Sequence, residues 1–138
     1  MSLFGKKVEP SEIESNADTL YSNSRWAEAR QTYTSAYQAF FSLNRHADCQ
    51  RILCKQIQCD EKLGLWDKAA RKYEELNKHL DAARCYENNE ATITEAIRCY
   101  EKVGNFLDMA RCYSKIGDYY LSFAAYAEVG DFNNAYEA

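Results

Sequence analysis

The chain of 138 residues contains one proline and only five glycines. Long irregular segments, which lean on both residue types, are therefore not expected. No run of 18 apolar residues occurs, so no membrane-spanning helix or direct membrane insertion is expected. The opening Met1-Ser2-Leu3-Phe4-Gly5-Lys6-Lys7 lacks the hydrophobic core of a secretory signal. Basic residues are the minority. Seventeen Lys and Arg stand against 21 Asp and Glu, giving a net charge of −4 and a pI near 5.2. That balance argues against a general nucleic-acid binder. No two glycines keep the spacing of a phosphate-cradling loop. His46 and His79 have no nucleophile signature around either. The six cysteines include no CxxC pair and read as reduced thiols of a cytoplasmic protein, not as a disulfide framework. No catalytic residue, metal ligand set or cofactor site is expected.

What the chain does contain is a phrase written repeatedly. Asp81-Ala82-Ala83-Arg84-Cys85-Tyr86-Glu87 is followed by Glu95-Ala96-Ile97-Arg98-Cys99-Tyr100-Glu101 and by Asp108-Met109-Ala110-Arg111-Cys112-Tyr113. Tyr73, Tyr86, Tyr100, Tyr113 and Tyr126 mark a step of about 13 residues, and Gly104, Gly117 and Gly130 keep the same step. Between Gly104 and Gly117, the residues Phe106, Met109, Ala110, Tyr113 and Ile116 follow a helix stripe. Asn105 stands as N-cap and Gly117 as the residue just past the C-cap. Asp118 is expected to cap the next helix, with Tyr119, Tyr120, Phe123, Ala124, Ala127 and Val129 inside it. Thr92–Glu95 and Ser11–Glu14 have the spacing of capping boxes. Each unit is then one helix of roughly 10 residues, marginal alone in water and dependent on neighbours on both sides.

Earlier helices read as longer. The first runs from Pro10-Ser11 to about Tyr21, with Ile13, Ala17, Leu20 and Tyr21 inward. The second runs from Trp26 to about Leu43-Asn44, carrying Ala29, Tyr33, Ala36, Tyr37 and Phe40. The third covers about Arg45 to Leu63, with Ile52, Gln56, Cys59 and Leu63 on one line. A fourth begins at Trp66, a fifth covers about His79 to Asn88, and Asn88 to Ala91 is the least regular link. The last helix starts at Phe132.

Several residues invite a functional reading, and each has a plainer one. Cys49, Cys54 and Cys59 point in different directions on one helix and cannot share a metal. Cys85, Cys99 and Cys112 recur beside the core tyrosine and read as small buried hydrophobes. Arg71, Arg84, Arg98 and Arg111 recur once per helix. If alternate helices face the same side, Arg84 and Arg111 share one surface and Arg71 and Arg98 the other. A row of guanidinium groups suits acidic peptides. The plainer reading pairs Asp81, Glu95 and Asp108 with the arginine three residues on. The aromatics read as wedges between helices. Tyr119 and Tyr120 are adjacent, so one of them is expected on the surface.

Trp26-Ala27-Glu28-Ala29 with Tyr33, and Gly64-Leu65-Trp66-Asp67-Lys68-Ala69-Ala70 with Tyr73, resemble the first helix of a tetratricopeptide (TPR) repeat. The later, shorter hairpins are similar to the arrays of soluble attachment proteins of membrane fusion, of clathrin and coatomer heavy subunits, and of intraflagellar-transport subunits. The resemblance implies an all-α fold, a right-handed α-solenoid of about nine antiparallel helices in TPR-like hairpins. Residues 1–10 would be a flexible lead-in and 11–138 the repeat domain, part of a longer solenoid. It further implies a protein-docking scaffold or adaptor of vesicle or ciliary trafficking, not an enzyme. From the recurring arginines and the tyrosine pair, Arg84, Arg111, Arg71, Arg98, Tyr119 and Tyr120 are the residues expected to meet partner proteins. The alternatives are a helical regulatory region of a larger enzyme such as a helicase, and a thiol or metal protein.

Overall fold

In the computed structural model, residues 2–3 and 6–130 are described. The chain is helical apart from a two-residue antiparallel pairing of β1 (Ser2–Leu3) with β2 (Lys6–Lys7). Eight α-helices follow among the described residues: α1 (Pro10–Ser22), α2 (Trp26–Ser42), α3 (His46–Lys62), α4 (Trp66–Glu75), α5 (His79–Tyr86), α6 (Ile93–Lys102), α7 (Phe106–Lys115) and α8 (Tyr119–Glu128). A 3-10 turn, Glu90–Thr92, fills the irregular link before α6. The ninth helix expected from Phe132 lies outside the described residues. The chain divides into two compact units, Met1–Lys72 and Tyr73–Ala138.

The turns are built alike. At the end of α1, the Arg25 N–H donates to the Leu20 carbonyl at 2.9 Å and the Ser24 N–H to the Tyr21 carbonyl at 3.0 Å. This is the double bond of a Schellman motif. The same pair closes α2 through Arg45 and Asn44, α6 through Asn105 and Gly104, and α7 through Asp118 and Gly117. The residue just past each C-cap is left-handed, with φ of 61° at Ser24, 56° at Asn44, 69° at Gly104 and 81° at Gly117. The next residue is already the N-cap of the following helix, as Arg25, Arg45, Asn105 and Asp118 are for α2, α3, α7 and α8. One helix therefore hands over to the next within three residues, and successive helices fold back on each other.

Capping followed expectation at Asn105 and Asp118 and departed from it at both capping boxes. The Asn105 side chain accepts from the Asp108 N–H at 3.2 Å and Asp118 from the Leu121 N–H at 3.1 Å. Neither capping box forms. Thr92 Oγ1 donates to the Tyr86 and Asn89 carbonyls instead, stitching the link to the end of α5. The first helix begins at Pro10 with Glu9 as an uncapped N-cap, and Glu14 turns to α3.

In the first unit α2 packs between α1 and α3. Ala17, Ala29, Tyr33, Ala36, Phe40, Ile52 and Cys59 form its core, with Ile13, Leu20, Tyr21 and Tyr37 partly buried against them. The fully buried alanines bring the helix backbones close, while Tyr33 and Phe40 fill the seam. Leu63, expected on the inner line of α3, is 37% exposed. In the second unit α5, α6, α7 and α8 pack in chain order. Tyr86 and Tyr100 are buried as wedges, with Cys85, Cys99 and Cys112 beside them.

The expected inner face of α8 is wrong. Ser122 and Ala125 are the buried pair, whereas Tyr119, Tyr120, Phe123, Ala124 and Val129 are exposed. Ser122 fits because its hydroxyl donates to the Ala110 carbonyl at 2.9 Å and shares a 2.7 Å hydrogen bond with Ser114. Ile116, read as the end of the apolar stripe between Gly104 and Gly117, is also exposed, as is Leu107.

The turn geometry generates opposite effects from two substitutions. Ser24→Gly relieves a left-handed side chain and raises unfolding stability by roughly 0.5–1 kcal/mol. Gly117→Ala lowers it by about 1 kcal/mol, all of it conformational, since a methyl group there meets nothing within 4 Å. Urea denaturation followed by circular dichroism measures both.

Candidate functional site

Two carboxylates organise the side-chain chemistry of the second unit, each directly following a tyrosine of the repeat: Glu74 after Tyr73 and Glu87 after Tyr86. Glu74, in α4, accepts from the Tyr86 hydroxyl of α5 at 2.6 Å and from Arg98 of α6 at 3.0 and 3.2 Å. Glu87, just past α5, accepts from the Tyr100 hydroxyl of α6 at 2.7 Å. Arg111 of α7 grips both oxygens of Glu87, at 2.7 and 3.1 Å, and Lys115 adds a further bond. The rule is the same twice. An acid on one helix takes a phenol from the next helix and a guanidinium from the one after.

The first unit repeats the rule with other residues. Asp18 of α1 accepts from Tyr33 of α2 and from Lys55 of α3 at 3.0 and 3.2 Å. Glu14 takes a two-point bond from Arg51 at 2.7 and 2.9 Å and one from Lys55 at 2.7 Å. Asp60 is fully buried and is held by Arg30 and by Lys72, the latter at 2.5 Å.

These contacts shift ionisation. Burial pushes the Glu87 carboxyl up, but the hydrogen bonds from Arg111, Lys115 and Tyr100 outweigh it and hold the pKa at about 2. Arg51 does the same for Glu14, against burial and with help from Lys55, again to about 2. Burial, then the hydrogen bond to Glu74, raises Tyr86 to about 12.

The recurring arginines are therefore paired differently from expectation. Arg98 reaches Glu74 across two helices and not Glu95, whose oxygen accepts from Thr94. Arg111 keeps the local pair with Asp108 and adds Glu87. Arg84 makes no ion pair with Asp81 or any other acid among the described residues and is exposed. Arg71, in the first unit, stands 3.9 Å from Asp67 with 70% of its side chain exposed. Tyr119 and Tyr120 are both on the surface, at 59% and 81% exposure, rather than one in and one out.

Arg84 and Arg111 do come together. They line one open hollow of about 320 Å³ with Glu87, Tyr100, Asp108 and Lys115. A second hollow of about 520 Å³ shares Glu87 and Lys115 and continues past Glu90, Ile93 and Ile116. Three cations face two carboxylates around the first hollow, and the carboxylates are already taken by Arg111 and Lys115. The unspent charge is that of Arg84. Tyr119 and Tyr120 are not part of this site. Lys115 and Glu87 escaped the sequence reading; the signal was the glutamate that ends the repeated Tyr-Glu phrase.

No known protein family, curated protein or solved structure matches this chain. Among the described residues no group of His, Cys, Asp and Glu is arranged to hold a metal, and no helix is long and apolar enough to cross a membrane. The cysteines are free thiols, and all but Cys54 are buried. Burial pushes Cys59 up to about 11 and Cys112 to about 12, and raises Cys99 as well, so these are poor nucleophiles near neutral pH.

Two measurements follow from this chemistry. The folded pKa of Glu87 lies below its ordinary 4.5, so its clamp contributes fully above that pH and is lost as pH falls toward about 2. Glu87→Gln should cost roughly 1–2 kcal/mol at neutral pH and flatten the acid limb of the stability curve measured by urea titration. With an aromatic disulfide reagent, the native chain should label quickly at Cys54 alone, the remaining thiols reacting only once denaturant is added; rapid labelling of Cys59, Cys99 or Cys112 in the native state contradicts the burial.

Proposed function

We propose that this chain is a TPR-like, right-handed helical-repeat scaffold of the cytoplasm that docks an acidic segment of another protein, in the service of vesicle or ciliary trafficking. The chemistry is binding, not catalysis. The observation that carries it is the exposed Arg84 guanidinium beside Arg111 and Lys115 at a hollow wide enough for side chains. Arg111 and Lys115 are fixed by Glu87, so their N–H groups have set directions before a ligand arrives. Preorganised donors spend less ordering entropy on binding. A carboxylate entering the hollow finds one free planar fork at Arg84 and a rim of positive charge behind it.

The repeat phrase and the tight hairpins support the scaffold part of the proposal. The helices α5 and α6 turn their small residues and tyrosines inward and leave polar positions outward, which makes a row of surfaces available to an extended partner. The placement in trafficking rests on the resemblance of the hairpins to those arrays and on nothing else.

A fluorescein-labelled, Asp- and Glu-rich peptide with a free C-terminal carboxylate tests the site by anisotropy. Arg84→Ala should weaken binding about fivefold to tenfold and Arg84→Glu should abolish it, each with an unchanged melting temperature. Binding should also fall as salt rises. Affinity that ignores Arg84, or no binding at low salt, removes the proposal.

A further inference from the structure

The hollow at Arg84 has a neighbour of different chemistry. Glu87, Asn88 and Lys115 line both the first hollow and the second, so the two share a wall. Arg84, Asp108 and Arg111 belong to the first alone. Ile93, Ile116 and Glu90 belong to the second alone. Ile116 is the C-cap of α7 and is 46% exposed, and Ile93 is the buried first residue of α6. A charged compartment therefore adjoins one with an aliphatic lining.

The charged compartment has room for one negative charge. Arg84, Arg111 and Lys115 face Glu87 and Asp108, which leaves a single positive charge over. Arg111 spends Nε and Nη2 on Glu87 and Nη1 on Asp108, and Lys115 also binds Glu87. Of the three cations, only Arg84 makes no ion pair among the described residues. One guanidinium fork holds one planar carboxylate through two parallel hydrogen bonds. A phosphate monoester, with a charge of about −1.5 to −2, exceeds what this compartment can balance and meets Glu87 and Asp108 with the surplus.

The shared wall suits a peptide backbone. Asn88 donates from Nδ2 to the Arg84 carbonyl at 2.9 Å, while its Oδ1 accepts from no group among the described residues. An amide oxygen held there can accept the N–H of a chain that crosses from one hollow to the other. On the far side, Glu90 of the 3-10 turn is exposed and makes no ion pair among the described residues. It repels a second acid entering the aliphatic compartment.

We propose that the two hollows together read one extended peptide motif: an Asp or Glu, with a Leu, Ile or Val two residues away and no second acid in that place. Side chains alternate along an extended chain, so residues two apart lie on one face, about 7 Å from each other, and can enter adjoining hollows. The acid sits on Arg84, the aliphatic side chain lies against Ile93 and Ile116, and the backbone between them crosses at Asn88. This rests on the reading of Arg84 as a docking fork and names the kind of segment that fork selects.

The probe is a short fluorescein-labelled peptide with Leu-Gly-Asp-Gly-Leu at its centre, so that either chain direction offers a leucine. It is titrated with the full chain and read by anisotropy. One copy carries Gly at both leucines, a second carries Glu there, and a third carries phosphoserine at the aspartate. The leucine peptide should bind about fivefold tighter than the Gly copy and about tenfold tighter than the Glu copy. The phosphoserine copy should bind no tighter than the aspartate peptide. Ile116→Ser should bring the leucine peptide down to the Gly copy, and Glu90→Gln should recover most of the loss of the Glu copy. Both positions are exposed, and an unchanged melting temperature checks that each variant is folded. Equal affinity of the leucine and Gly peptides, both still requiring Arg84, overturns the motif and leaves the docking of acids standing. A leucine preference that survives Ile116→Ser, or a phosphoserine copy tighter than the aspartate peptide, overturns it as well. Binding of no peptide, or binding indifferent to Arg84→Ala, removes the motif and the docking fork together.

Discussion

A carboxylate that takes hydrogen bonds from two different helices is the constraint on which the side-chain arrangement depends. Apolar contact between neighbouring helices fixes their spacing but is non-directional, and alanines in particular let one helix slide on another. The Glu87 cluster removes that freedom. A phenol from α6 and a guanidinium from α7 meet on one acid beside α5, so three helices share one geometric requirement. Glu74 imposes the same on α4, α5 and α6, and Asp18 on α1, α2 and α3. Such clusters lie partly in solvent, where a charged bond is worth less than its geometry suggests. Their contribution is to the register of the helices more than to the total stability.

The turns make the clusters possible. Everywhere but at the α5–α6 link, a Schellman closure followed at once by the next N-cap leaves no slack, so those helices begin at a fixed phase relative to the one before. Given that phase, a tyrosine one helix on and an arginine two helices on arrive at the same acid. The same phase brings Arg84 and Arg111 to one hollow. Binding surfaces of this kind are by-products of the repeat: wherever a member of the set is absent or unpaired, a charge is left over for something else to meet.

Much of the fold was legible. The starts at Trp26, Trp66 and Phe106, the cap at Asn105 and the left-handed Gly117 follow from local rules whose partners are a few residues away. The core residues Ala29, Tyr33, Phe40 and Ala110 follow from helical spacing. Pairings between helices were not legible. Local spacing favours Asp81–Arg84 and Glu95–Arg98, yet Arg84 has no acid among the described residues and Arg98 goes to Glu74, 24 residues away. A surface pair within one helix is worth a few tenths of a kcal/mol, so any better-buried acid in reach outcompetes it. The face of α8 was misread for a related reason. Its stripe is apolar on every side, so periodicity had no contrast from which to choose, and the Ser122 hydroxyl with its two partners decided it.

By itself the amino-acid order determined where helices begin and end, which small and aromatic side chains turn inward, and the step at which the phrase recurs, because caps, left-handed turns and helical spacing act within about ten residues. Only the tertiary structure decided which acid Arg98 and Arg111 serve and that Arg84 has no acid among the described residues. Those outcomes compare distances between groups far apart in the chain, and a charge chooses its partner by proximity in space and by exclusion of water, neither of which is written locally.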